Sequence, residues 1–346
     1  MKVDYIIVGL GLAGIAFAEE LIAANKTFVV FEDDSQQSSL VAGGVYNPVI
    51  LKRFTPVWNA KEQLAVALPF YQKLEEKLQI QIDEKFLIKK VFKSIEDQNN
   101  WFEAADKTLL SDYIDPKLDT TKRKGIIADF GYGNVNEAGR IDTKKLVEVY
   151  RAYLKSENKI QFEKFDHQQI KFRQDHLEYK EITTDRIVFC EGFGMTENLF
   201  FNYLPLNEVK GELITIHAPE LEVDFLIKST VFVLPLGDHL YKVGATFNWS
   251  DKTSNPSEEG RNELVQKLKK VITVPYTIIE QSAGIRPTVR DRRPLVGMHP
   301  AYNNLVILNG LGTRGVMIAP TVAKQLFNYL ENDGELDKEI DIKRFE

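Results

Sequence analysis

The sequence predicts an α/β protein whose second domain is α+β, built mostly of antiparallel strands. Three observations predict it. The chain opens on a strand, a glycine-rich turn, a helix and a second strand, which together make a βαβ unit. Near its end come another strand, another glycine-rich loop and an apolar helix. Between them lie short apolar or alternating runs separated by turns, the pattern of an antiparallel sheet.

The segment Tyr5 to Gly9, "YIIVG", is apolar, rich in β-branched residues and bounded by glycine, so it reads as a buried parallel strand. Ile15 to Ala24 reads as an alanine-rich helix, and "TFVVFE", Thr27 to Glu32, as the second buried strand. Residues 59–79 place Leu64, Leu68, Tyr71, Leu74 and Leu78 at helical spacing, with Pro69 expected to kink or split the helix. Phe86 to Val91 is strand-like, and 94–140 is mixed and rich in turn residues. "RIDTKKLVEVYRAYLKSEN" starts a helix with Asp142 or Thr143 as N-cap. "KIQFEKF", "QIKFRQ", "HLEYKE" and "RIVFCEG" read as consecutive strands, followed by "GELITIHAP", "FLIKSTVFVLPLG" and "HLYKVGATFNW". Glu258 to Val271 is an amphipathic helix, and "NLVILNG" is a last buried strand. The expected division is discontinuous. Residues 1–50, 140–205 and 280–346 form a Rossmann-like domain, and 51–139 with 206–279 form the inserted substrate domain.

Composition narrows the function. With 346 residues, 44% hydrophobic and 27% charged, the chain reads as a globular protein of about two domains. A net charge of −6, with only short basic runs such as Lys89-Lys90, makes nucleic acid an unlikely partner. The single cysteine, Cys190, excludes a disulfide within the chain and a CxxC metal site. The five histidines are scattered, so no metal site is expected. Asp4, Glu19 and Glu20 interrupt the N-terminal apolar stretch, and no run reaches the ~18 apolar residues of a membrane span. A cytoplasmic protein is expected.

The first loop, Gly9-Leu10-Gly11-Leu12-Ala13-Gly14, fits G-x-G-x-x-G. The first glycine makes the tight turn, the second admits a pyrophosphate to the backbone, and the third lets helix and strand pack closely. Amides at the helix N-terminus then face the anion. Glu32, followed by Asp33, ends the second strand, where a carboxylate accepts hydrogen bonds from an adenosine ribose. An acid there argues against a 2′-phosphate. The motif alone leaves NAD and FAD open, since both carry ADP at this end.

Further segments resemble the D-amino-acid oxidase-type family of FAD-dependent oxidoreductases, which includes glycine oxidase and sarcosine oxidase. "AGGVYNP", with Gly43, Gly44 and Val45, resembles the family's small-residue stretch beside the flavin. "AGRIDTKKL", "RIVFCEGFG" with Gly192, "VKGELITI", "HLYKVGAT" and "AGIRPTVRDRRPLVG" follow in the family's order. "GLGTRGVMIAP", with Gly310, Gly312, Thr313, Arg314, Gly315 and Val316, resembles its C-terminal flavin segment. Glu191 departs from the pattern, standing where the family has a small residue. No cysteine lies in the C-terminal flavin segments, so the resemblance implies non-covalent FAD. "GLGTRG" and "VYNP" look closest to the oxidase domain of the bifunctional tRNA wobble-uridine modification enzymes, whose oxidase half cleaves an N-substituted glycine group. The 346 residues carry no companion methyltransferase domain.

On this resemblance the two loops grip the two ends of one cofactor. The C-terminal loop brings amides and a helix N-terminus to the flavin pyrimidine edge, and Pro320 requires that helix to begin close before it. The substrate is a small amine or amino acid, and the electrons pass to oxygen or another acceptor. Arg286, in "AGIRP", resembles the family's carboxylate-binding arginine, a group suited to a two-pronged clamp. Arg314 is a second candidate, with its direction open. Tyr241 and Tyr46 are candidates for the pocket wall. The residues alone leave three readings: an FAD-dependent amine or amino-acid oxidoreductase, an NAD-linked dehydrogenase on the same βαβ unit, and a non-catalytic flavin-binding protein.

Overall fold

The computed structural model describes residues 1–346. Its first sheet has eight strands. Ile160–Phe162, Phe28–Glu32, Lys2–Val8, Ile182–Phe189 and Leu305–Asn309 run parallel in that order. Leu177–Tyr179 with Ile170–Phe172, and Leu295–Met298, extend it antiparallel. The parallel strands therefore end together at Gly9, Glu32, Cys190 and Asn309, the carboxyl edge where open α/β sheets bind ligands.

Both faces of this sheet are covered, as its unbroken apolar strands require. Tyr5 and Ile7 join one core cluster, and Ile6 and Val8 join another. The first cluster includes residues of the helices Leu12–Ala23, Ala60–Leu78, Thr143–Ser156 and Gly315–Glu331. Asp142 caps its helix by accepting the Lys145 N–H. The helix Ala60–Leu78 runs through Pro69, which is solvent-exposed, so water can serve the backbone carbonyl that proline leaves without a partner.

The second sheet has seven strands in the order Thr277–Val289, Leu206–His217, Leu240–Gly244, Phe232–Gly237, Leu226–Lys228, Ile88–Val91 and Tyr132–Val135. It is antiparallel except where Leu226–Lys228 meets Ile88–Val91. "FLIKSTVFVLPLG", read as one strand, is two, Leu226–Lys228 and Phe232–Gly237. Thr277–Val289 is an edge strand, which is where Pro287 can sit without removing a ladder bond. It places residues 280–289 in the second sheet, and Ala60–Leu78 packs on the first. The division of the chain thus differs from the expected boundaries at both places. No helix is long and apolar enough to cross a membrane.

Candidate active site

A continuous cavity of about 720 Å³ connects the carboxyl edge of the first sheet to one face of the second. Its size suits a small-molecule site. Gly9, Gly11, Leu12, Ala13, Glu32 and Asp33 line one end. Gly14 lies behind them: a Cβ there falls 2.2 Å from the Gly9 carbonyl oxygen, so only glycine lets the helix press this close to the strand. The backbone N–H groups of Gly11 and Ala13 find no acceptor within the chain and face the cavity at a helix N-terminus, a cradle for a pyrophosphate.

Glu32 accepts hydrogen bonds from the N–H groups of Leu10 at 2.5 Å and Asp34 at 3.0 Å, and pairs with Arg151 at 3.0 Å. Burial raises its carboxyl above the usual range, while Arg151 works against that rise. A carboxylate has about four acceptor positions, so one is left for a ribose hydroxyl.

Along the middle run Gly43, Gly44, Val45 and Gly192. Gly44 has φ +65°, and a Cβ there falls 1.8 Å from the Ile141 carbonyl oxygen. Glu191, the departure from the family pattern, is held by its neighbours. One carboxylate oxygen lies 2.8 Å from His167 Nε2, and the other accepts from Asn198 Nδ2 at 2.6 Å. Cys190 is buried, its thiol pushed up by desolvation, and has no disulfide partner.

The second glycine loop meets the same cavity through Gly312, Thr313, Arg314, Gly315 and Val316. Arg314 is the N-cap of the helix Gly315–Glu331, and Pro320 lies in its second turn. The N–H groups of Thr313, Gly315 and Val316 have no acceptor within the chain. Orphan donors thus stand at both loops of one cavity, which fits a long cofactor carrying a pyrophosphate at one end and a polar ring edge at the other.

Four expected contacts do not reach the cavity wall. Gly14 supports the helix from behind, as above. Gly310 packs under Val289, and its N–H donates to Asn309 Oδ1 at 2.7 Å. Tyr241 is buried in the core of the second sheet, where its hydroxyl donates to the Leu221 carbonyl. Tyr46 is likewise buried away from the cavity, donating to Asp83 at 2.8 Å.

Arg286 does line the cavity. Its guanidinium stacks 4.5 Å from the ring centroid of Phe247 and donates to the Thr246 carbonyl at 3.3 Å. No acidic partner faces it, and burial alone lowers its pKa to about 10. Arg314 also lines the cavity without an acidic partner; burial, then Arg292, lowers its pKa. Sequence reasoning missed Lys228, Phe232 and Phe247 on the same wall. The available signal was a lone lysine inside the apolar run "FLIKSTVFV".

Comparison with known proteins agrees with this geometry. The family model "FAD dependent oxidoreductase" matches residues 4–328. Glycine oxidase of Bacillus subtilis (strain 168) is 23% identical over 220 residues, 59% of this chain and 59% of that protein. A tRNA 5-methylaminomethyl-2-thiouridine biosynthesis bifunctional protein of Campylobacter jejuni subsp. doylei is 22% identical over 305 residues, 84% of this chain and 45% of that protein. The chain thus spans about half the length of these curated relatives. The crystal structure of glycine oxidase from Geobacillus kaustophilus superposes with a TM-score of 0.79 at 18% identity, covering 97% of this chain and 96% of that one. The NAD-linked reading gives way to an FAD-dependent enzyme, and the chain belongs to the FAD-dependent oxidoreductase family.

Proposed function

We propose that the protein oxidises the C–N bond of a small amino acid or secondary amine of the N-substituted glycine type, by hydride transfer to flavin N5, with Arg286 holding the substrate carboxylate. The observation that carries this reading is the Arg286 guanidinium, half-buried at the cavity wall with no acid to neutralise it. A buried cation without a counter-ion is costly, and an arriving carboxylate offsets that cost through two charge-assisted hydrogen bonds. FAD, when bound, supplies the acceptor for the two electrons and the hydrogen that leave the substrate carbon.

The chain supplies orientation and electrostatics. Arg286 fixes the carboxylate, and with it the α C–H beside the nitrogen. Phe232 and Leu213 on the same wall offer water no hydrogen-bond partner near the reacting atoms, while Phe247 stacks on Arg286. The free amides of Thr313, Gly315 and Val316, at a helix N-terminus on the cavity wall, would stabilise negative charge on the ring edge of a bound flavin. The imine product then hydrolyses, and the electrons leave to oxygen or another acceptor. Relatives named glycine oxidase, and the bifunctional protein whose name refers to a methylaminomethyl group, support amine chemistry. The net charge of −6 supports a free small molecule, and the buried unpaired Cys190 supports a cytoplasmic setting.

The test is the Michaelis constant of the flavin-loaded enzyme for N-alkyl glycines. Arg286→Ala raises it about 10- to 100-fold, the value of one or two charge-assisted hydrogen bonds. An unchanged constant removes Arg286 from this role.

A further inference from the structure

We infer that the same cavity holds a second anion subsite at Lys228, so that the substrate carries a carboxylate or phosphate on the part remote from the oxidised carbon. This rests on the reading that Arg286 takes the first carboxylate.

Lys228 ends the strand Leu226–Lys228 and lines the cavity. Its ammonium has no hydrogen-bond partner, and the nearest ring is Phe232, 5.9 Å from Nζ to the centroid. The charges pressing on it are Lys90 of the adjacent strand, Lys267 of the helix Glu258–Leu268, and Lys93, with no acid offsetting them. Lys90 and Lys267 already have their own acids, Asp97 and Glu263. Those acids are engaged, so Lys228 itself is left without a counter-ion. Burial, the largest influence, followed by these lysines, lowers the Lys228 pKa to about 8. An apolar side chain would pack here at lower cost than a desolvated ammonium. A ligand acid gives the ammonium its missing partner.

Strand register relates the two cations. Ser282, Leu213, Gly244, Phe232 and Lys228 pair across five adjacent strands, so they share one face of the sheet. Arg286 lies on that face too, four residues along from Ser282, with its guanidinium folded over Gly211. Between the strands of Gly211 and Lys228 lie three interstrand spacings, about 14 Å. The floor between them is formed by Gly211, Leu213 and Phe232, one glycine and two apolar side chains, with Gly244 beneath the last two. One cation at each end of a neutral floor suits a molecule with an acid at each end and an uncharged linker. A compact dicarboxylate is too short to reach both.

The test uses non-oxidisable ligands, so that it does not depend on turnover. Linear monocarboxylates, α,ω-dicarboxylates and ω-phosphonocarboxylates of increasing chain length are titrated into the flavin-loaded enzyme, with binding followed by calorimetry and by perturbation of the flavin spectrum. The expected result is that a long two-acid ligand binds about tenfold more tightly than the monocarboxylate of equal length. Lys228→Met abolishes that advantage, Lys228→Arg retains it, and Arg286→Ala weakens one-acid and two-acid ligands alike. The better of the carboxylate and phosphonate series identifies the terminal group. If monocarboxylates bind through Arg286 but a second acid adds nothing at any length, or if Lys228→Met keeps the advantage, the subsite is overturned while the Arg286 reading stands. If no carboxylate binds, or if Arg286→Ala changes nothing, both fall.

Discussion

The guanidinium of Arg286 occupies the space that a side chain at position 211 would need: Nη2 lies 2.0 Å from where a Cβ on Gly211 would stand. Gly211 thus sets the course of the arginine across the sheet. Gly211→Ala is expected to displace the guanidinium and raise the Michaelis constant for carboxylate substrates about tenfold. The same change made on an Arg286→Ala background is expected to have little further effect, since the two act through one contact. Flavin content and circular dichroism serve as controls for folding. Independent, additive effects would show that Gly211 acts by some other route.

Glu32 joins the glycine loop to the nucleotide end through Leu10 and to the helix Thr143–Ser156 through Arg151. Glu32→Ala removes the carboxylate proposed to accept from the ribose and strips Arg151 of one of its two acids, leaving Asp34. FAD retention is expected to weaken about 10- to 100-fold, measured as the dissociation constant of the apoprotein for added FAD. Equal retention would remove Glu32 from the cofactor site.

Gly44 combines φ +65° with a carbonyl oxygen 1.8 Å from a would-be Cβ. Gly44→Ala is therefore expected to cost about 2 kcal/mol or more, read from the urea midpoint, because both the backbone conformation and the space forbid a side chain. A stability equal to the wild type would mean that the Ile141 backbone yields freely.

Lys228 carries a pH signature. Its folded pKa of about 8 lies below the usual 10.5. Between those values the unfolded chain holds more protons than the folded one, so this group's contribution to stability rises with pH. Below pH 8 the half-buried ammonium is a net cost. Lys228→Met is expected to stabilise the protein at pH 7 by on the order of 2–3 kcal/mol, with the gain fading as pH rises towards 10. Urea unfolding at a series of pH values measures this. A destabilised variant at pH 7 would show that the lysine has a partner.

The glycine loop that lines one end of the cavity was legible because it sits in a strand–turn–helix–strand unit that is continuous in sequence. In "GLGLAG" Gly14 answers to Gly9 within the βαβ unit, whereas Gly9 is pressed on Cys190 and Gly11 on Ser39, and Glu32 follows at a spacing that strand and helix lengths dictate. Arg286 was legible for its chemistry, although its strand was not recognised, since Gly284 and Pro287 disguise an edge strand. Tyr241 shows where such reasoning stops. Gly244 faces the cavity side, and Tyr241, an odd number of residues before it, faces the opposite core. A period of two makes a single step of register decisive, and register is set by the partner strands. The helix Ile95–Ala105 was hidden for another reason. Only Trp101, Ala104 and Ala105 are buried, too few for a clear period, although the Ser94 cap accepting from Asp97 marked its start. Lys228 became visible as a cavity residue only when the sheet placed it on the same face as Arg286.

The central claim is that this cavity oxidises an amine. Anaerobic bleaching of the bound flavin tests it most directly, with D-amino acids, N-alkyl glycines and proline analogues offered to the purified holoenzyme. The expected result is loss of the visible flavin absorbance with at least one carboxylate-bearing amine, at a rate that saturates with concentration and is suppressed at low substrate by Arg286→Ala. A flavin that stays oxidised across the whole panel, yet bleaches with dithionite, would contradict it.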